Sequence, residues 1–272
     1  MNLTNSINSD NSTRRMPVLF VGHGSPMNAI EENEFVQSWR KLGETLAKPK
    51  AIICISAHWE TRGTQITALP YPPTIHDFGG FPRELYEVQY PASGSPELVK
   101  EAIKTISGSM LLPDEKWGLD HGAWSFLRHM YPKADVPVIE MSLDYNKTPE
   151  LHYELAKELS SFREKGILIV GSGNIVHNLR RVAWDKVNEV EYGFDWAIEA
   201  NEIIKNLILE NKHKELIEYN LLGKEVQMAV PSPDHYLPLL YALALKTENE
   251  KVSFFNDKAV MGSLTMTSLK IG

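Results

Sequence analysis

Nine histidines are spread over 272 residues, and five of them stand in surroundings that could do chemistry. His23 lies in Gly22-His23-Gly24-Ser25-Pro26 and His58 in Ser56-Ala57-His58-Trp59. His177 follows Gly171-Ser172-Gly173-Asn174, and His235 sits in Pro233-Asp234-His235-Tyr236. Neutral imidazole is a good ligand for zinc and iron, and metal sites commonly draw ligands from distant chain segments. His121 is different, flanked by Asp120 and Gly122 in Leu119-Asp120-His121-Gly122-Ala123-Trp124. A histidine beside a carboxylate reads as a general acid/base, with Asp120 as the group expected to orient it. His129, His152 and His213 fall in helical, charged contexts and read as surface or packing residues.

Other chemistries fail on their motifs. Gly171-Ser172-Gly173 begins like a dinucleotide loop, but Val176 takes the third glycine position. A phosphate-loop lysine motif and a His-Glu-x-x-His zinc motif are both absent. Ser25 and Ser172 lie outside any Gly-x-Ser-x-Gly elbow. The formal net charge is −7, and the densest basic pair, Arg180-Arg181, is not extended by its neighbours. Nucleic-acid binding would want a basic stripe, so a small-molecule partner is expected instead. No apolar run approaches the roughly 18 residues of a membrane span. The single cysteine, Cys54, excludes a disulfide framework and a multi-cysteine zinc site. It reads as a small core side chain, with the cytoplasm as the default compartment.

Strands must deliver these histidines. Pro17 to Val21, Ala51 to Ser56 and Ile167 to Val170 are short apolar runs, as strands covered on both faces are. Val136 to Met141 is a fourth, with Pro137 marking a strand start or an edge. His23, His58 and His177 then follow strands at their carboxyl ends, where open α/β sheets bind ligands. Helices are expected over Glu34 to Ala47, Glu97 to Ile106, Leu151 to Arg163, Trp196 to Glu210 and Leu237 to Leu245. Ser95-Pro96 and Thr148-Pro149 are helix-opening pairs. Alternating strands and helices predict an α/β fold: a single three-layer domain with a mainly parallel central sheet flanked by helices. Residues 1–15 are polar and read as a disordered leader, leaving 16–272 as the catalytic domain. From Ala68 to Ala92 prolines, glycines and aromatics form a loop expected to be ordered and to cover a site.

Taken in order, these motifs and His76-Asp77-Phe78-Gly79-Gly80-Phe81-Pro82 carry a resemblance. The chain is similar to the class III extradiol ring-cleavage dioxygenases, within them to the DOPA 4,5-dioxygenase branch, from about Met16 onward. The resemblance implies a non-haem divalent metal at the sheet edge, held by His23, His58 and His235, with His177 at or near it. It implies that His121, or His177 if free of metal, moves protons, and that His76, Phe78 and Phe81 belong to the substrate pocket. The expected substrates are a DOPA-like catechol and O2. Protocatechuate-type members complete the site with a glutamate, whereas here the matching position is His235, with Asp234 beside it. That all-histidine shell suits Zn2+ as well as the Fe2+ expected for catalysis. A zinc-dependent hydrolase using the same histidines, a tetrapyrrole metal chelatase and a non-enzymatic metal-binding protein are the alternatives. The sequence specifies no protein partner.

Overall fold

A computed structural model describes residues 15–108 and 110–272. The expected leader lies outside the described residues except for Arg15, which pairs with Glu164 at 2.8 Å.

Ten strands form among the described residues. They are β1 (Val18–Gly22), β2 (Ala51–Thr61), β3 (Thr64–Thr67), β4 (Leu111–Asp114), β5 (Val138–Asp144), β6 (Ile167–Gly173), β7 (Val252–Phe255), β8 (Ala259–Val260), β9 (Leu264–Thr265) and β10 (Ser268–Ile271). Eight make one sheet in the order β4-β3-β5-β2-β6-β1-β10-β7, and β8 pairs with β9 separately. The centre, β5-β2-β6-β1, is parallel throughout. Antiparallel pairing enters on both sides, where β3 meets β5 and where β10 joins β1 and β7.

Side chains of the central strands alternate between two hydrophobic cores, as the two-residue period requires. Val18, Phe20, Ile53, Ile55, Ile139, Ile167 and Ile169 face one core, with the helices Pro96–Thr105, Pro149–Lys157, Asp195–Leu209 and Leu237–Ala244. Leu19, Val21, Ile52, Cys54, Val138, Leu168 and Val170 face the other, under the helices Glu34–Thr45 and His121–Met130. Helix, sheet and helix make the three layers predicted from the sequence. Each fully buried Leu, Ile or Phe in such a core is worth roughly 1.5–3 kcal/mol.

Several boundaries differ from expectation. β2 continues to Thr61, so His58 is carried by the strand rather than following it. β6 continues through Gly171-Ser172-Gly173, which is extended chain and not a turn. Packing explains those glycines: a Cβ on Gly171 would lie 2.2 Å from Pro238 O, and one on Gly173 2.1 Å from His235 O. Pro137 is a strand start and not an edge, because β5 lies between β3 and β2. The helix expected over Leu151 to Arg163 is two pieces, Pro149–Lys157 and Ser160–Glu164. No helix was expected at His121, yet it opens a ten-residue helix, with Asp120 as the N-cap. No helix among the described residues is long and apolar enough to cross a membrane.

Candidate metal centre

His23 immediately follows β1, and its backbone N–H donates to Gly173 O at 3.2 Å, tying it to β6. Asn28 Nδ2 donates to His23 O at 3.1 Å, from the short helical turn Pro26–Ala29 capped by Ser25. The register of β2 against β5 slips between Ile55 and Glu60, and His58 lies in that irregular stretch. His235 precedes the helix Leu237–Ala244, and its carbonyl accepts from Asn174 N at 2.9 Å just beyond β6. Three segments remote in sequence therefore meet at the carboxyl ends of adjacent parallel strands.

The hydrogen bonds decide which imidazole nitrogen faces the centre. Ser172 Oγ donates to Gly122 O, so it can only accept from His23 Nδ1–H, 2.9 Å away. His23 Nε2 then carries a lone pair, and it stands 3.0 Å from His58 Nε2. His235 Nδ1 bonds to Asp234, and its Nε2 is buried with no hydrogen-bond partner. The ligand atoms of His23, His58 and His235 all lie within 4.8 Å of one another. An orphaned buried Nε2 and two converging nitrogens leave an electrostatic demand that a cation would meet. The donor set fits a divalent zinc- or iron-like ion. Burial, and then the neighbouring histidines, hold His23 and His58 well below the usual histidine range, as neutral imidazoles.

Two more histidines adjoin this group. His121 lies 3.9 Å from His58 between ring centroids. His177 stacks on His235 at 3.5 Å with 6° between the planes. Its ligand atom groups with Asp234 and His235 rather than with His23 and His58. Burial, and then His235, push the His177 pKa down to about 3.

The aromatic loop lies over this cluster. Phe78 meets His121 edge-on at 5.6 Å, and Phe81 packs on Phe78 at 5.3 Å. His76 touches Phe78, Tyr86 and Trp124, and its Nε2–H donates to Val88 O at 3.0 Å. That bond commits one His76 nitrogen to holding the loop. The loop is anchored by Ile75 N to Leu119 O at 2.7 Å and by Trp124 Nε1 to Ile75 O at 2.8 Å.

The group orienting His121 is not Asp120. Asp120 caps its own helix at Ala123 N and accepts from Ser56 Oγ at 2.7 Å. Asp77 meets His121 instead: Oδ1 accepts from His121 N and Oδ2 lies beside Nδ1, both at 2.9 Å. Beneath them Asp120 N–H donates to Glu140 Oε1 at 2.8 Å. Burial, with Asp77 nearby, raises the Asp120 pKa to about 6, and burial, with Asp120 nearby, holds the Glu140 carboxyl well above the usual carboxylate range. Asp77 and Glu140 carry no assignment from the sequence, and Ser172 was weighed there only against a hydrolase elbow. Asp77 and Ser172 lay inside the motifs quoted, next to histidine or glycine, whereas Glu140 carried no signal within a buried strand.

Known proteins match this arrangement over nearly its whole length. Residues 17–268 match the family model described as the catalytic LigB subunit of aromatic ring-opening dioxygenase. A "4,5-DOPA dioxygenase extradiol" of Escherichia coli (strain K12) is 45% identical over 264 residues, 96% of each chain. The protein of that name from Beta vulgaris is 35% identical, over 92% of this chain and 94% of its own. The crystal structure of an uncharacterized protein from Escherichia coli K12 superposes with a TM-score of 0.82 at 39% identity. That match covers 95% of this chain and all of the other.

Proposed function

The chain belongs to the LigB family of aromatic ring-opening dioxygenases, and from that premise we propose that it opens a DOPA-like catechol with O2 at a non-haem ferrous site. The reaction is extradiol, breaking the ring beside the two hydroxyls rather than between them. The comparisons favour neither the hydrolase nor the chelatase. The observation that carries the reading is the convergence of His23, His58 and His235, their ligand atoms within 4.8 Å of one another, beside an aromatic loop.

His23, His58 and His235 would hold the metal through Nε2. When bound, Fe2+ acidifies the catechol hydroxyls and provides the electronic route to O2. Everything else falls to the protein. Phe78 and Phe81 give the ring an apolar wall and exclude water. His121, with Nδ1 occupied by Asp77, presents Nε2 as the nitrogen that takes a phenolic proton and later returns it. His177, stacked on His235, is the second proposed proton acceptor, although burial makes it a weak base. His76 supports this wall through Phe78 and Trp124. The lone buried Cys54 accords with a reducing, cytoplasmic setting.

The test is oxygen uptake by protein prepared without air, loaded separately with Fe2+ or Zn2+ and offered a panel of catechols that includes DOPA. Uptake with Fe2+ alone and a yellow ring-opened product is the expected result. Stoichiometric metal with no uptake on any catechol would overturn the reading.

A further inference from the structure

Asp77 stands between two histidines with different proposed tasks. Its Oδ2 lies 2.9 Å from His121 Nδ1 and 3.3 Å from His58 Nδ1, and its side chain is only 13% exposed. Its other oxygen, Oδ1, accepts from His121 N at 2.9 Å, so both oxygens face nitrogen atoms. A carboxylate can only accept, so both contacts are attractive only when each Nδ1 carries the proton. A neutral imidazole has one such proton, which leaves both Nε2 atoms with lone pairs. Those are the atoms the proposed reaction needs: His58 Nε2 facing His23 Nε2, and His121 Nε2 facing the substrate. No other carboxylate serves them, since Asp120 is turned to Ser56 and Asp234 to His235.

We propose that Asp77 is a shared positioning residue, one carboxylate that sets the tautomer of a metal-holding histidine and of the acid/base histidine together. Because Asp77 follows His76 in the aromatic loop, it also makes the pocket wall and the metal centre one unit. Losing its charge loosens metal and turnover together. The inference rests on the roles given above to His58 and His121, and its test separates the two failures.

Asp77→Asn keeps the shape, but its one oxygen cannot serve both carboxylate positions, so an NH2 is turned either on His121 N–H or on the two Nδ1–H groups. Zn2+ affinity of the full-length protein, measured by competition with a chromophoric chelator, is expected to weaken about 10–100-fold. With Fe2+ saturating, kcat is expected to fall at least about tenfold while KM stays within about threefold. His121→Ala is the control, expected to lose turnover with Zn2+ affinity unchanged. If His121→Ala turns over normally, the acid/base assignment fails, and the zinc affinity of Asp77→Asn still decides whether Asp77 supports His58. Zinc affinity of Asp77→Asn within about twofold of wild type would overturn the proposal. Should the variant not fold, 15N-histidine NMR of zinc-loaded wild type gives the same decision. Exchange-protected Nδ1–H protons on both His58 and His121 support it; a proton on Nε2 of either overturns it.

Discussion

His121 can be removed without disturbing the three histidines that converge through Nε2, because its own bonds run to Asp77. His121→Ala is expected to lower kcat by about 10²–10⁴-fold with metal content intact, the usual range for losing an acid/base group. Metal analysis beside steady-state rates checks it. A second prediction concerns His152, fully buried between Tyr241 Oη and Asp144 O. Burial lowers its pKa from 6.5 to about 4. Between those values the unfolded chain takes up a proton that the folded protein refuses. Unfolding free energy therefore drops as pH falls through that window, by at most about 1.4 kcal/mol per pH unit from this residue. His152→Gln is expected to flatten that part of the slope in urea titrations run from pH 7 to 4. At this scale the sequence revealed the histidines well, because glycine and proline flanks mark chain that must turn near a ligand. It misled on the orienting carboxylate. Adjacency suggested Asp120, but a residue capping a helix turns its side chain back to that helix's own N–H groups, and the free bond goes to a residue 44 positions away.

Elements announced themselves in proportion to their burial. β1, β2, β5 and β6 are buried on both faces over their central stretches and read as continuous apolar runs. β3, β4, β7 and β10 have four residues each, β8 and β9 two each, and most carry polar side chains, so no periodic pattern could mark them. The helix His121–Met130 was hidden by Gly122 in its first turn, although Asp120 is an ordinary N-cap. Gly122 is required there by space, since a Cβ would stand 2.5 Å from Ser56 Oγ. The extension of β6 through Gly173 yields a third prediction. Gly173→Ala would press a methyl group onto His235 O, so the turn bearing His235 must move. Overpacking of this kind costs about 1–3 kcal/mol. A lowered melting temperature together with weaker zinc binding is expected; a lowered melting temperature with normal zinc binding would show that the turn shifts without moving the imidazole.

The whole molecule is closed by a group far from the metal. Arg163, completely buried, donates to Met16 O and Leu245 O and pairs with Glu250, joining the chain before β1 to the segment before β7. Arg163→Met leaves Glu250 with only a more distant cation, Arg15 Nε at 3.5 Å, and the two carbonyls without their donor. A loss of about 3 kcal/mol or more is expected in chemical denaturation, with the rate per folded molecule unchanged at low temperature. The three-layer arrangement could be read from alternating strands and helices, whereas the reversal of β10 between β1 and β7 could not. That reversal has a consequence for assembly. Among the described residues β1 is the first strand and β10 the last, and β1 has β6 and β10 as its two partners. Until the ribosome has made both, the segment bearing His23 has no slot to occupy, and His235 also arrives late. A nascent chain thus offers the cell isolated histidines rather than a binding site.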